Sequence, residues 1–214
     1  MRRALAPISA RPVAVFAMAA ACCLAWATAA QGATVQVDVL DAAGKPLADA
    51  VVFLESAEAS RQVRPLASAE MAQEKKQFVP GVLVVPVGTE VRFPNQDSVR
   101  HHVYSFSPAK KFELKLYAGT PSNPVLFDRP GVVALGCNIH DQMVGWILVV
   151  ATPHYARSAG AAGRAQIDNV PPGNYTLRAW HTRLPVGAPA HEQALTVPAT
   201  GGAPVSVRVA GLQP

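Results

Sequence analysis

A thiol, an imidazole and a thioether stand three residues apart in Gly136-Cys137-Asn138-Ile139-His140-Asp141-Gln142-Met143, a Cys-x-x-His-x-x-Met pattern. Two soft sulfur donors and a nitrogen donor on one short segment suit copper better than zinc, calcium or magnesium. The hydrophobic run Val144-Gly145-Trp146-Ile147-Leu148-Val149-Val150 follows, and Pro130-Gly131-Val132-Val133-Ala134-Leu135 precedes, each reading as a strand. Cys137, His140 and Met143 are therefore expected on a loop between two strands, one ligand short of a closed site.

The elements that must carry this loop are short and regularly spaced. Thr34–Leu40 alternates with period two, Asp41–Pro46 is a turn, and Ala50–Leu54 returns as a second strand. Residues 55–77 show no apolar period and are expected to be a connector, either loop or short helix. Strand patterns resume at 78–85, 90–93, 101–106 and 112–117, separated by turns rich in Pro and Gly. Arg164–Val170 and Tyr175–Trp180 flank Pro171-Pro172-Gly173-Asn174, a hairpin pattern, and two more strands end the chain. This pattern predicts an all-β chain built of antiparallel sandwiches.

Composition narrows the function. Of 214 residues half are hydrophobic and 15% charged, with 19 prolines and 15 glycines, so the chain is neither disordered nor a nucleic-acid coat. Arg2, Arg3 and Arg11 supply three units of the formal charge of +5, leaving about +2 and no basic patch of the nucleic-acid kind. Residues 1–32 have a basic start, an apolar Ala-rich run and small residues before the first strand, the pattern of a cleaved export signal. An uncleaved anchor is the competing reading, since Val13 to Ala30 carries no charge; twin-arginine export through Arg2-Arg3 and a lipidated Cys22 or Cys23 are others. With cleavage, no membrane association is expected. Cys137 is then a lone thiol in an oxidising compartment, where metal ligation would protect it.

The fourth ligand is expected upstream, in Phe93-Pro94-Asn95-Gln96-Asp97-Ser98-Val99-Arg100-His101-His102-Val103. A strand ending in an aromatic residue and Asn, followed by a His that opens the next strand, resembles the upstream half of a cupredoxin. The Cys-x-x-His-x-x-Met spacing is similar to that of amicyanin, whereas plastocyanins place the Met two residues further on, so the chain most resembles the amicyanin/plastocyanin-like proteins of the methylamine utilisation type. The resemblance covers Phe78 to Val150. It implies a type 1 copper site with His101, Cys137 and His140 in the trigonal plane and Met143 as a long axial ligand. His101 is favoured over His102 because it follows Asn95 by six positions, although period two puts His102 with Tyr104 and Phe106 on a face that could equally be interior. His102 stands where the family usually has an Asn that ties the two ligand segments together. Asp141, Gln142 and Arg100 replace apolar positions of amicyanin, which argues for a partner other than methylamine dehydrogenase.

By this resemblance the chain would carry single electrons between redox partners, a dehydrogenase and a c-type cytochrome or oxidase. No nucleophile–base or carboxylate pair stands out, so catalysis is not expected. A copper carrier or sensor with the same ligands, and a metal-free surface binding module, are the rivals. His154, His181 and His191 share no ligand spacing and read as surface residues, and Lys110, Lys111 and Lys115 read as a solvated strand face. The flanks, Asp41–Val52 and Gly163–Trp180, resemble a carboxypeptidase regulatory-like (transthyretin-like) sandwich. The expected division is a signal at 1–32, first flank strands at 33–60, a cupredoxin domain at 61–152, and the rest of the flanking sandwich at 153–214.

Overall fold

The computed structural model describes residues 32–121, 123–199 and 202–214. All of the predicted export signal except Gly32 lies outside them. Among the described residues the chain is all-β apart from one short helix. In order it runs β1 (Ala33–Asp41), β2 (Val51–Glu55), α1 (Ala57–Arg61), β3 (Ala69–Glu70), β4 (Ala72–Glu74) and β5 (Gln77–Val79). Next come β6 (Val82–Pro86), β7 (Thr89–Arg92), β8 (His101–Ser107), β9 (Lys110–Tyr117), β10 (Val125–Phe127), β11 (Gly131–Cys137) and β12 (Val144–Val150). The last five strands are β13 (Tyr155–Arg157), β14 (Arg164–Val170), β15 (Gly173–Trp180), β16 (His191–Val197) and β17 (Val205–Val209). No helix among the described residues is long and apolar enough to cross a membrane.

The middle of the chain forms a five-stranded sheet, β6-β12-β11-β8-β9, facing a three-stranded sheet, β10-β7-β3, with the β4–β5 hairpin beside them. Strand β12 pairs antiparallel with β11 and parallel with β6. Between the sheets lies a core that includes Phe93, Val103, Phe127, Val133, Leu135, Cys137, Met143 and Ile147. The flanking strands interleave into two further sheets, β14-β1-β17 and β13-β2-β15-β16, around a second core.

Leu148 and Val150 of β12 and Val82 of β6 belong to that second core, and Trp146 packs edge-on against Trp180 at 5.5 Å between ring centroids. Strand β12 is thus covered on both faces, so its sequence is a continuous apolar run rather than an alternating one. Burying Ile147 and Leu148 fully stabilises the sheet by about 1.5–3 kcal/mol per side chain. That doubly covered strand is the rigid support for the loop ahead of it.

Two expectations change. Residues 164–180 are not a hairpin: β14 pairs with β1, whereas β15 pairs with β2 and β16. Pro171 and Pro172 have no N–H for a ladder, and the chain there crosses from one sheet to the other. The Tyr175 hydroxyl donates to the Pro171 carbonyl at 2.9 Å and holds that corner. The connector at 55–77 contains more order than its composition suggests, namely α1, capped by the Ser56 side chain accepting from Ala59 N–H, and then β3 and β4.

Candidate metal centre

Strand β8 opens with His101, β11 ends with Cys137, and β12 begins just after the loop holding His140 and Met143. Gly136 and Cys137 pair with Tyr104 and Val103, which brings the two ligand segments side by side. The β8–β9 register slips between His101 and Val103, a bulge of the kind that re-aims side chains near functional sites. His101 turns inward and is wholly buried, while the Asn138 N–H donates to the His102 carbonyl at 3.3 Å. The two segments are thus tied to each other through the backbone.

Within the loop, His140 N–H donates to the Cys137 carbonyl at 3.4 Å and Met143 N–H to the His140 carbonyl at 2.9 Å. This tight turn buries Cys137 and Met143, at 3% and 1% exposure, and leaves Asn138, Ile139, Asp141 and Gln142 in solvent. His140 is half-buried between them. Met143 shares the core with Cys137.

The Nδ1 atoms of His101 and His140 lie 3.7 and 3.8 Å from the Cys137 sulfur. The rings are 5.1 Å apart between centroids, and the three donor atoms all fall within 4.8 Å of one another. Metal–nitrogen and metal–sulfur bonds of about 2.0 and 2.3 Å at trigonal angles would put donors about 3.7 Å apart, so these three side chains fit one metal ion. Two imidazoles and a thiolate are the donor set of blue-copper sites.

The other expected residues fall elsewhere. His102 faces outward with Tyr104 and Phe106, and its Nε2 is 2.9 Å from Glu113 Oε1. Phe106 is 77% exposed, so the face that period two left open is the outer one. His154 and His181 are buried rather than on the surface, each at 7% exposure. Burial holds the pKa of both below the ordinary histidine value. Neither belongs to the cluster.

Sequence reasoning missed the residues behind His101. Its Nε2 is 2.8 Å from Asp97 Oδ2. Burial works against the charge on Asp97, but the Lys76 N–H, the His101 ring and the Lys75 N–H outweigh it and hold the carboxyl below its ordinary range. Asn95 Nδ2 donates to the carbonyls of Val99 and Tyr117, and its Oδ1 accepts from Asp97 N–H. The Tyr117 hydroxyl lies 2.7 Å from Gln73 Oε1 and 2.8 Å from the Phe93 carbonyl. Burial pushes that phenol's pKa well up, so it stays protonated and can donate. An Asx pattern at Asn95-x-Asp97, its Asp four residues ahead of the clustered His101, was the available signal.

A sandwich with a His–Cys–His cluster at one end, bridging two adjacent strands, is a cupredoxin-type arrangement. No protein-family model matches the chain, and no curated protein matches it significantly. Among solved structures, the chain is similar to a purple cupredoxin from Nitrosopumilus maritimus, at 26% identity over 38% of this chain and 99% of that one, TM-score 0.34. A copper-containing nitrite reductase from Thermus scotoductus SA-01 matches at 25% identity over 41% of this chain and 25% of that one, TM-score 0.37. A Cu(I) amicyanin variant matches at 19% identity over 46% of this chain and 98% of that one, TM-score 0.35. Each likeness spans less than half of this chain, and none of these proteins lends its activity to it.

Proposed function

We propose that this chain is an exported carrier of single electrons, not an enzyme, with one type 1 copper held by His101, Cys137, His140 and, on the axial side, Met143. The observation that carries the reading is the buried Cys137 sulfur with an imidazole Nδ1 at 3.7 Å on one side and 3.8 Å on the other. Copper bound there supplies a centre that gains and loses one electron. The protein's part is to keep the donors still: His101 comes from a strand start, Cys137 from a strand end, and both are locked into paired strands. A pocket closed by protein donors leaves little room for substrate, which supports a carrier over a catalyst.

His140 is the half-buried member, and the exposed residues around it in sequence mix apolar Ile139 (47%) and Val144 (52%) with polar Asn138, Asp141 and Gln142, the surface we assign to a redox partner. A dehydrogenase as donor and a c-type cytochrome or oxidase as acceptor are the proposed partners, in the periplasm or another exported location. We assign the flanking sheets to a regulatory-like sandwich into which the copper domain is inserted; the interleaving of β1 and β2 with β13 to β17 supports this.

Voltammetry of the copper-loaded protein in the presence of a Cu(I) chelator tests the reading. A carrier of electrons cycles reversibly and keeps its metal. Loss of copper to the chelator on reduction would favour a copper carrier instead.

A further inference from the structure

The side of the His101 ring turned away from Cys137 meets a carboxylate that is itself unusually well held. Asp97 Oδ2 lies 2.8 Å from His101 Nε2 and accepts from Lys76 N–H at 2.9 Å, and Oδ1 accepts from Lys75 N–H at 2.7 Å. Lys75 and Lys76 form the tip of the β4–β5 hairpin, with φ of 51° and 58°. Two successive lysines in the left-handed region are uncommon, since hairpin tips of this shape favour Asn-Gly or Asp-Gly. The conformation points both N–H groups at one acceptor.

The hairpin is also fastened to the loop that carries Asp97. Gln73 N–H donates to the Pro94 carbonyl and Gln96 N–H to the Gln73 carbonyl, both at 2.9 Å. The Asp97 N–H is taken by Asn95 Oδ1 at 3.0 Å. Every part of the carboxylate's orientation therefore has a partner outside the cluster.

We infer that Asp97 is the positioning residue of the metal centre, aimed by the Lys75–Lys76 hairpin tip so as to fix the tautomer and angle of the His101 ring. The inference rests on the proposed role of His101 as a metal ligand. Both oxygens of Asp97 already accept a backbone N–H, so the carboxylate meets the ring as an acceptor, and in the neutral His101 ring Nε2 then carries the hydrogen and Nδ1 keeps its lone pair toward Cys137. A carboxylate on the far nitrogen also raises the donor strength of a ligating imidazole. Negative charge there favours the more positive oxidation state of the metal.

The test uses the full chain with Asp97→Asn and Asp97→Ala. Nitrogen NMR of the metal-free wild type is expected to show His101 as a single tautomer with hydrogen on Nε2. In Asp97→Ala that single form is lost, the Lys75 and Lys76 amides exchange faster, and copper affinity falls about 10- to 100-fold. Asp97→Asn keeps an acceptor oxygen but no charge, so the tautomer persists and the reduction potential rises. A purely structural clamp would lower the melting temperature of both variants and leave affinity and potential unchanged, and that result overturns the inference. So does a wild-type ring with hydrogen on Nδ1, a measurement that needs no variant to fold. If the wild type took up no copper at Cys137, the electron-carrier reading would fail by itself, and the tautomer would still decide the place of Asp97.

Discussion

The Asn138 N–H donates to the carbonyl oxygen of His102, and this bond lies between the two chain segments that supply the cluster. One segment is then anchored immediately after His101 and the other immediately after Cys137. The side chain of His102 is left free to serve the surface, where it pairs with Glu113. Neighbouring histidines thus have opposite fates, one wholly buried beside sulfur and one on the outer face of the same strand.

Removing each imidazole separates these roles. His101→Ala is expected to weaken copper binding by more than the 10- to 100-fold that loss of an outer partner costs. His102→Ala should leave affinity nearly unchanged and cost the fold about 0.5–1.5 kcal/mol, the net worth of its hydrogen bond to Glu113. Competition titrations with a chelator rank the two, and the reverse order would shift the ligand along by one residue.

The sulfur residues differ in the same way. Cys137→Ala should abolish the thiolate-to-copper absorption altogether. Met143→Leu conserves volume in the core and should cost less than about 1.5 kcal/mol, keep the colour and shift the potential. Spectra and voltammetry of both variants check this, and a coloured Cys137→Ala protein would mean that the metal sits elsewhere.

Glycines on either side of the ligand loop are there for close packing, and their neighbours set the cost of replacing them. A Cβ on Gly145 would lie 2.8 Å from the Phe78 Cβ, a buried atom with no room to retreat. A Cβ on Gly136 would meet only the outer end of the Tyr104 ring, at 2.7 Å, and that ring is half-exposed and can swing away. Gly145→Ala is expected to destabilise by about 1–3 kcal/mol and Gly136→Ala by less. Denaturant unfolding of the two variants measures the difference.

Acid should weaken the flanking sandwich through His154. Its Nε2 is buried without a hydrogen-bond partner, and burial holds its pKa below the unfolded value of about 6.5. The unfolded chain therefore binds more protons as pH falls below about 6.5, and stability drops through that window until the folded pKa is passed. His181 is shifted the same way and adds to the slope. His154→Phe should flatten the fall of the melting temperature as pH drops below about 6.5. An unchanged slope would show that this ring is not the source.

Some of this was readable in the chain because the signal is local. Cys137, His140 and Met143 announce a site through residue type and spacing, and the apolar run at 144–150 shows a strand that must be covered on both faces. The rest depends on partners distant in sequence. Nothing in Glu74-Lys75-Lys76-Gln77 marks a hairpin tip, because the turn is shaped by the Asp97 carboxylate 21 and 22 residues away. The Pro171–Gly173 stretch has the chemistry of a tight hairpin, yet β1 and β16 claim the strands on either side of it. His154 and His181 look like surface residues because no spacing connects them to anything, and only the stacking of sheets puts them inside.

The sulfur of Cys137 and the ring nitrogens of His101 and His140 are proposed to grip one copper ion. Adding one equivalent of Cu(II) to the metal-free protein and recording visible absorption and EPR tests that directly. The account predicts an intense thiolate-to-copper band and a copper signal with the small hyperfine splitting of a type 1 site, saturating at one ion per chain. A colourless product, or the wide splitting of copper held only by nitrogen and oxygen, would contradict it.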